Sequence, residues 1–325
     1  MNRGLHIDRI PAGAKIWGLV CALALIARLA ASVECETASV DPQRLVVLND
    51  CILEDGRIAA DGDQDPYRDY FPRFSRAGFN AYRHNNCFLR IGTARDDRLL
   101  REIFSDLKAS GWTTWAVLFQ ADSPEVAHTS LALERARVIV ARYREVVDIW
   151  ELANEARPAV DWVRDVAEEV RRLDPGALIT ISWNDAVYIP YVDFNSPHAY
   201  LPLSAWNASQ LVQEFIGRER AKDPSKPLVV GEFGRVPCNW EPDQAELAGA
   251  IARAFRAENV GWGLWLTNNT RSFCAPSANF YCGPEERAAI LQALGGQSIV
   301  TPRPTPPLMG PQPSCRRTWW RPARC

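Results

Sequence analysis

Four apolar runs in this chain end in polar residues that could act together, and two of those ends carry a carboxyl. Val147 to Leu152 leads into Asn154-Glu155, and Pro227 to Gly231 leads into Glu232. A carboxylate behind an apolar run is costly to bury unless something pairs with it. Partners stand at the ends of similar runs: Arg83 after Asn80-Ala81-Tyr82, and His198 and Tyr200 in Ser196-Pro197-His198-Ala199-Tyr200, with Trp265 closing Trp262-Gly263-Leu264-Trp265. Two adjacent carboxyls push their proton affinities apart, so that one stays ionised and attacks while the other stays protonated and donates. A cation such as Arg83 and a phenol such as Tyr200 favour the ionised form of Glu232. Glu155 is then left as the proton donor. Singly, each residue has a plainer reading: Arg83 as a salt bridge with Glu151, His198 as a satisfied core histidine, Trp265 as packing.

Positioning such a set requires strand ends that converge. From about residue 43 onward, short β-branched and aromatic runs alternate with helical patterns, which points to an α/β fold with parallel strands. Eight strands are predicted: Leu45 to Leu48, Ala81 to Arg83, Thr113 to Phe119, Val147 to Leu152, Leu178 to Ser182, Val192 to Asn195, Leu228 to Gly231 and Gly263 to Leu266. Between them, Val160, Val163, Val166, Ala167 and Val170, or Leu247, Ile251 and Phe255, recur at spacings of three and four as the buried stripes of helices. Residues 43–296 span about the 250 residues usual for one (β/α)8 TIM barrel, in which catalytic groups sit at the carboxyl ends of the strands. A doubly wound dinucleotide fold would need a glycine-rich first turn, and Leu48-Asn49-Asp50-Cys51 has none.

The flanks read differently. Arg3, Arg9 and Lys15 precede the apolar run Ile16 to Ala31, which Arg28 interrupts, and small residues follow, so residues 1–32 are expected to be a cleaved secretory signal rather than a bilayer span. A charge of -2 over 325 residues suggests neither nucleic acid nor a membrane surface as partner. Of the 9 cysteines, Cys21 leaves with the signal and an even number remains, as suits an oxidising compartment; spacing does not fix the pairing, and Cys274 with Cys282 is one expected bridge, two buried free thiols being the alternative. With histidine only at His6, His84, His128 and His198, no metal site and no cofactor is expected, and neither C-x-x-C nor H-x-H occurs. Residues 297–325 open on Thr301-Pro302-Arg303-Pro304-Thr305-Pro306-Pro307 and are expected to be a disordered basic tail. Trp183, Asn184, Trp206, Asn268 and Asn269 fall in loops, as sugar contacts or as filling in equal measure. Asn207-Ala208-Ser209 and Asn268-Asn269-Thr270 fit the glycosylation pattern.

Taken in order, the strand-end residues resemble the clan A glycoside hydrolases, and most nearly glycoside hydrolase family 5, over residues 43–296. Asn154-Glu155 looks like that family's asparagine and acid/base, Glu232 like its nucleophile, and Arg83, His198, Tyr200 and Trp265 fall on its arginine, His-x-Tyr and tryptophan. The resemblance implies a secreted, metal-free, monomeric enzyme that hydrolyses β-O-glycosidic bonds of a carbohydrate with retention. Asn154 would bond the sugar's 2-hydroxyl and Trp265 would stack on a ring. One position departs: where the family commonly has a histidine after strand three, Phe119-Gln120-Ala121-Asp122 stands here, so another clan A family stays open. A sugar-binding barrel without turnover is the alternative.

Overall fold

The structure is a computed structural model, and it describes residues 40–50, 53–54, 57–58, 70–85, 94–183, 185–200, 207–233, 244–265 and 292–294. The chain divides into two units, Met1–Val40 and Asp41–Cys325. Among the described residues of the second unit, eight parallel strands form one sheet: β1 (Val46–Asp50), β2 (Ala81–His84), β3 (Thr113–Gln120), β4 (Ile149–Asn154), β5 (Leu178–Thr180), β6 (His198–Ala199), β7 (Val229–Phe233) and β8 (Gly261–Trp265). The order across the sheet is β5-β4-β3-β2-β1-β8-β7-β6, so every neighbour is a sequence neighbour except where β1 meets β8. That closure of the first strand on the last is what a (β/α)8 barrel requires. A small antiparallel pair, Leu53–Glu54 with Arg57–Ile58, follows β1.

The two carboxyl-bearing strands are buried along their whole length, Ile149–Asn154 and Val229–Phe233 alike. Parallel strands covered on both faces read as continuous apolar runs, which is why their periodicity was strand-like without alternation. Helices α1 (Tyr70–Arg76), α2 (Ala94–Ala109), α3 (Pro124–Ala127), α4 (Thr129–Tyr143), α5 (Val160–Leu173), α6 (Ala208–Arg220) and α7 (Gln244–Ala257) lie between the strands in sequence. Leu247, Ile251 and Phe255 of α7 are buried as expected. Each such burial stabilises by about 1.5–3 kcal/mol. The stripe of α5 needs one correction. Val163, Val166, Ala167 and Val170 are buried, but Val160, the first residue of the helix, is 36% exposed, and Trp162 fills the inward place. The Trp162 indole also donates to the Glu125 carbonyl at 2.8 Å, tying α5 to α3.

Strand six is the second correction. Val192 to Asn195 is the predicted strand, yet within it only Asn195 pairs, as an isolated bridge to Leu228, and the ladder itself forms at His198–Ala199. Pro197 has no N–H to give and breaks the run between them. The segment still closes the wall. The Asp193 N–H donates to the Ile179 carbonyl at 2.8 Å on the β5 side, while the Gly231 N–H donates to the Pro197 carbonyl at 3.0 Å on the β7 side. His198 is thereby set in register with Glu232.

Candidate active site

At the carboxyl ends of these strands, Arg83 is fully buried and sits between two carboxylates. Its Nε and Nη2 donate to Glu151 at 2.6 and 2.7 Å, and its Nη1 donates to Glu232 Oε1 at 2.5 Å. Both sequence readings of Arg83 are therefore realised at once. Burial works against its charge, but Glu151 and Glu232 outweigh it and hold the guanidinium above its ordinary range. Trp115 donates to Glu151 Oε2 at 2.9 Å, so Glu151 accepts three hydrogen bonds without solvent.

Glu232 is fixed from several directions. Tyr200 donates to its Oε2 at 2.5 Å and Asn85 to its Oε1 at 3.4 Å. Burial, then the charge of Glu232, raises Tyr200 well above an ordinary phenol, which keeps the proton on the donor. Asn49 crosses from β1, accepting from Arg83 Nη1 at 3.1 Å and donating to the Gly231 carbonyl at 2.9 Å. The strand next to it must be glycine at 263: a Cβ there would lie 2.2 Å from the Gly231 carbonyl and 2.5 Å from Asn49 Nδ2.

Glu155 follows β4 with φ of 49°, a left-handed conformation that side chains other than glycine adopt at a cost of about 1–2 kcal/mol. Its N–H is anchored on Ser182 Oγ at 2.6 Å. The carboxyl is 41% exposed, and His198 Nδ1 stands 2.9 Å from Glu155 Oε1 and 3.5 Å from Glu232 Oε2. Burial disfavours a charged His198, but Glu232 and the bond to Glu155 prevail and raise it above the ordinary histidine value. The same hydrogen bond pulls Glu155 below the usual carboxylate range, against the opposite effect of its burial. The expectation of a protonated Glu155 rested on repulsion between two carboxyls alone; the imidazole of His198 stands between them as a third group that competes for the proton.

Beside Glu155 opens a cavity of about 510 Å³ lined by Arg157, Trp183, His198, Phe215 and Lys222 among others. The Arg157 guanidinium lies 4.0 Å from the centre of the Trp183 ring, so one face of that indole is covered. Trp265 ends β8 and is 7% exposed. Asn184, Trp206, Asn268 and Asn269 lie outside the described residues. Glu155, His198 and Glu232 each bring one ligand-type atom within 4.8 Å of the others, the one group of three such residues found among the described residues.

No protein-family model and no curated protein matches this chain by sequence. Solved structures do. Thermotoga maritima Cel5A in complex with cellobiose aligns over 78% of this chain and 100% of its own, at 16% identity and a TM-score of 0.57. The catalytic domain of the major endoglucanase from Xanthomonas campestris pv. campestris aligns over 80% and 96%, at 13% identity and a TM-score of 0.54. This chain has the barrel fold of family 5 endoglucanases.

Three residues at the site escaped the reading of motifs, and Gln120 entered it only within the segment that stands where the family has a histidine. Asn49, Asn85 and Ser182 are neutral amides and a hydroxyl at strand ends, with no charge to account for and no spacing that marks them. Glu151 was weighed only as an alternative partner. The signal that could have found them is position: Asn49, Gln120 and Ser182 close or follow predicted strands one, three and five.

Proposed function

We propose that this chain is a retaining glycoside hydrolase acting on β-linked glucan or mannan, with Glu232 as nucleophile and Glu155 as acid and base. The observation that carries this reading is the approach of one oxygen of Glu155 and one of Glu232 to within 4.8 Å. Carboxyls about 5–5.5 Å apart serve retention, whereas inversion needs about 6.5–9.5 Å to admit a water. In the first step Glu232 attacks the anomeric carbon as the glycosidic C–O bond breaks and the leaving oxygen takes a proton from Glu155. In the second, Glu155 takes a proton from water, whose oxygen displaces Glu232. The first proton comes from the His198–Glu155 pair, in which the shared hydrogen bond raises His198 and lowers Glu155. A sugar that excludes water from Glu155 disfavours its charge and moves that proton to the carboxyl. Asn154, whose Oδ1 is occupied by Arg83 Nη2 at 2.9 Å, faces the sugar as a donor.

The substrate class draws support from Cel5A of Thermotoga maritima, whose structures hold cellobiose and mannotriose. Export also belongs to this reading; no described helix is long and apolar enough to cross a membrane. Proton NMR of a fresh digest of mannan, β-glucan or an aryl β-glycoside tests it, with the β-anomer expected first. An α-anomer appearing first removes Glu232 as nucleophile. One observation favours the second reading, a sugar-binding barrel without turnover: Glu155 is hydrogen-bonded to His198, which lowers it, whereas a proton donor must hold its proton. Binding with no release of product from any of these substrates would establish that reading instead.

A further inference from the structure

The structure assigns to Gln120 the role of positioning residue for the 2-hydroxyl contact, through a closed ring of hydrogen bonds at the floor of the site; the inference rests on the glycosidase reading above. Gln120 is the last residue of β3 and stands in register with Asn154, the last residue of β4. Its Oε1 accepts from Asn154 Nδ2 at 2.9 Å and its Nε2 donates to Asn85 Oδ1 at 2.8 Å. Asn85 passes to Glu232 Oε1 at 3.4 Å, Glu232 receives Arg83 at 2.5 Å, and Arg83 Nη2 returns to Asn154 Oδ1 at 2.9 Å. Five side chains thus close one circuit, and Gln120 is its only member that touches neither a charged group nor the reacting carbon.

The circuit decides how Asn154 is turned. An amide has one acceptor oxygen and two N–H donors. With the oxygen held by Arg83 and one N–H held by Gln120, the second N–H has a single direction left. Without Gln120, the Arg83 bond alone leaves the amide plane free to rotate about it. A contact to the 2-hydroxyl strengthens as the oxocarbenium-like transition state forms, and misplacing a reacting contact by about 1 Å costs on the order of 100-fold. The backbone of Gln120 is itself pinned, its N–H bonded to Ser123 Oγ and its carbonyl accepting the Ser123 N–H, both at 3.0 Å. Glutamine does this without titrating. A neutral imidazole, with one donor and one acceptor, could make the same two bonds.

The test compares wild type, Gln120→Leu and Gln120→His on a nitrophenyl β-cellobioside and on its counterpart lacking the 2-hydroxyl at the reacting sugar. Gln120→Leu is expected to lower kcat on the full substrate by about 10- to 100-fold with little change in KM. On the deoxy substrate the loss should stay within about threefold, since the oriented contact is absent there in wild type too. Gln120→His should recover most of the rate. Equal losses on both substrates would reduce Gln120 to a packing role and overturn the inference, as would no loss on either. If wild type turns over neither these glycosides nor β-glucan nor mannan, the hydrolase reading fails on its own. Calorimetric binding of a piperidine iminosugar with and without the matching hydroxyl then asks the same question: Gln120→Leu should weaken only the hydroxylated one, and equal weakening or no binding by wild type overturns the inference.

Discussion

Each carboxyl at the site has a different neighbourhood, and the two should fail differently when removed. Glu232 is held by Arg83, Tyr200 and Asn85, whereas among the described residues Glu155 has one side-chain partner, His198, and is open to the cavity. With an activated aryl glycoside, whose leaving group needs little protonation, Glu155→Ala is expected to slow breakdown of the covalent intermediate more than its formation. Glu232→Ala should abolish both, against the 10²–10⁴-fold typical for loss of acid/base help alone. Pre-steady-state burst kinetics separate the steps, and equal mild losses in both variants would mean that other carboxyls do the chemistry. The His198–Glu155 pair also sets a pH dependence. His198 is raised, so its contribution to stability is full below about pH 6.5 and is lost as pH rises through its folded value; Glu155 is lowered, so its contribution is full above about pH 4.5 and is lost as pH falls through its folded value. The pair therefore stabilises most between those limits. Activity needs one proton on the pair, so the alkaline limb of kcat/KM follows His198. In His198→Asn that proton must sit on Glu155 alone, and the alkaline limb should move to lower pH. An unmoved limb would show that another group controls it.

At the scale of the strand, Glu151 shows why a site residue need not meet substrate. It lies three residues before Asn154 on β4, fully buried, and takes the Arg83 fork and the Trp115 indole. Glu232 would still neutralise Arg83 without it, but the Arg83 Nε–H and the Trp115 indole N–H would lose their acceptor in a dry interior. A buried donor left unsatisfied costs about 1–3 kcal/mol, so the two together cost about 2–6 kcal/mol. Glu151→Leu is expected to lose that much in urea denaturation. A loss below about 1 kcal/mol, the range of exposed pairs, would mean that water reaches Arg83. Strand β6 makes a complementary point: broken by Pro197, it still brings His198 opposite Glu232 because its neighbours on both sides bond to its backbone.

At the scale of the whole molecule, the barrel accounts for the described residues from β1 onward, and the flanks are a matter for the mature protein in solution. Residues 1–32, Cys274, Cys282 and residues 297–325 all lie outside the described residues. The exported chain is expected to begin after about Ser32 and to carry at least one disulfide. Mass spectrometry of the secreted protein, alkylated with and without reductant, reads both. Full alkylation of the unreduced native protein would remove the argument from cysteine parity. Loss of a native bridge costs about 2–5 kcal/mol in small secreted domains, and a core the size of this barrel should depend on it less.

What was legible in the sequence by itself was the alternation of strands and helices, the eight-fold count, and the placing of Arg83, Asn154, Glu155, His198, Tyr200, Glu232 and Trp265 at strand ends. These follow from local properties: apolar runs form strands, and a charge at the end of one demands a partner. Which partner is chosen is not local. Arg83 could be read toward Glu151 or toward Glu232, and only the register of β1, β2, β4 and β7 let one guanidinium serve both. The proton on the Glu155–Glu232 pair was assigned from repulsion between two carboxyls, and only the fold puts a third group, His198, between them to compete for it. Asn49 and Asn85 were invisible, and Gln120 stood out only as part of a departure from the family pattern, because a neutral amide costs nothing to leave in water. They acquire meaning when barrel closure brings strand ends that are far apart in sequence within hydrogen-bond distance and excludes the solvent that would otherwise satisfy them.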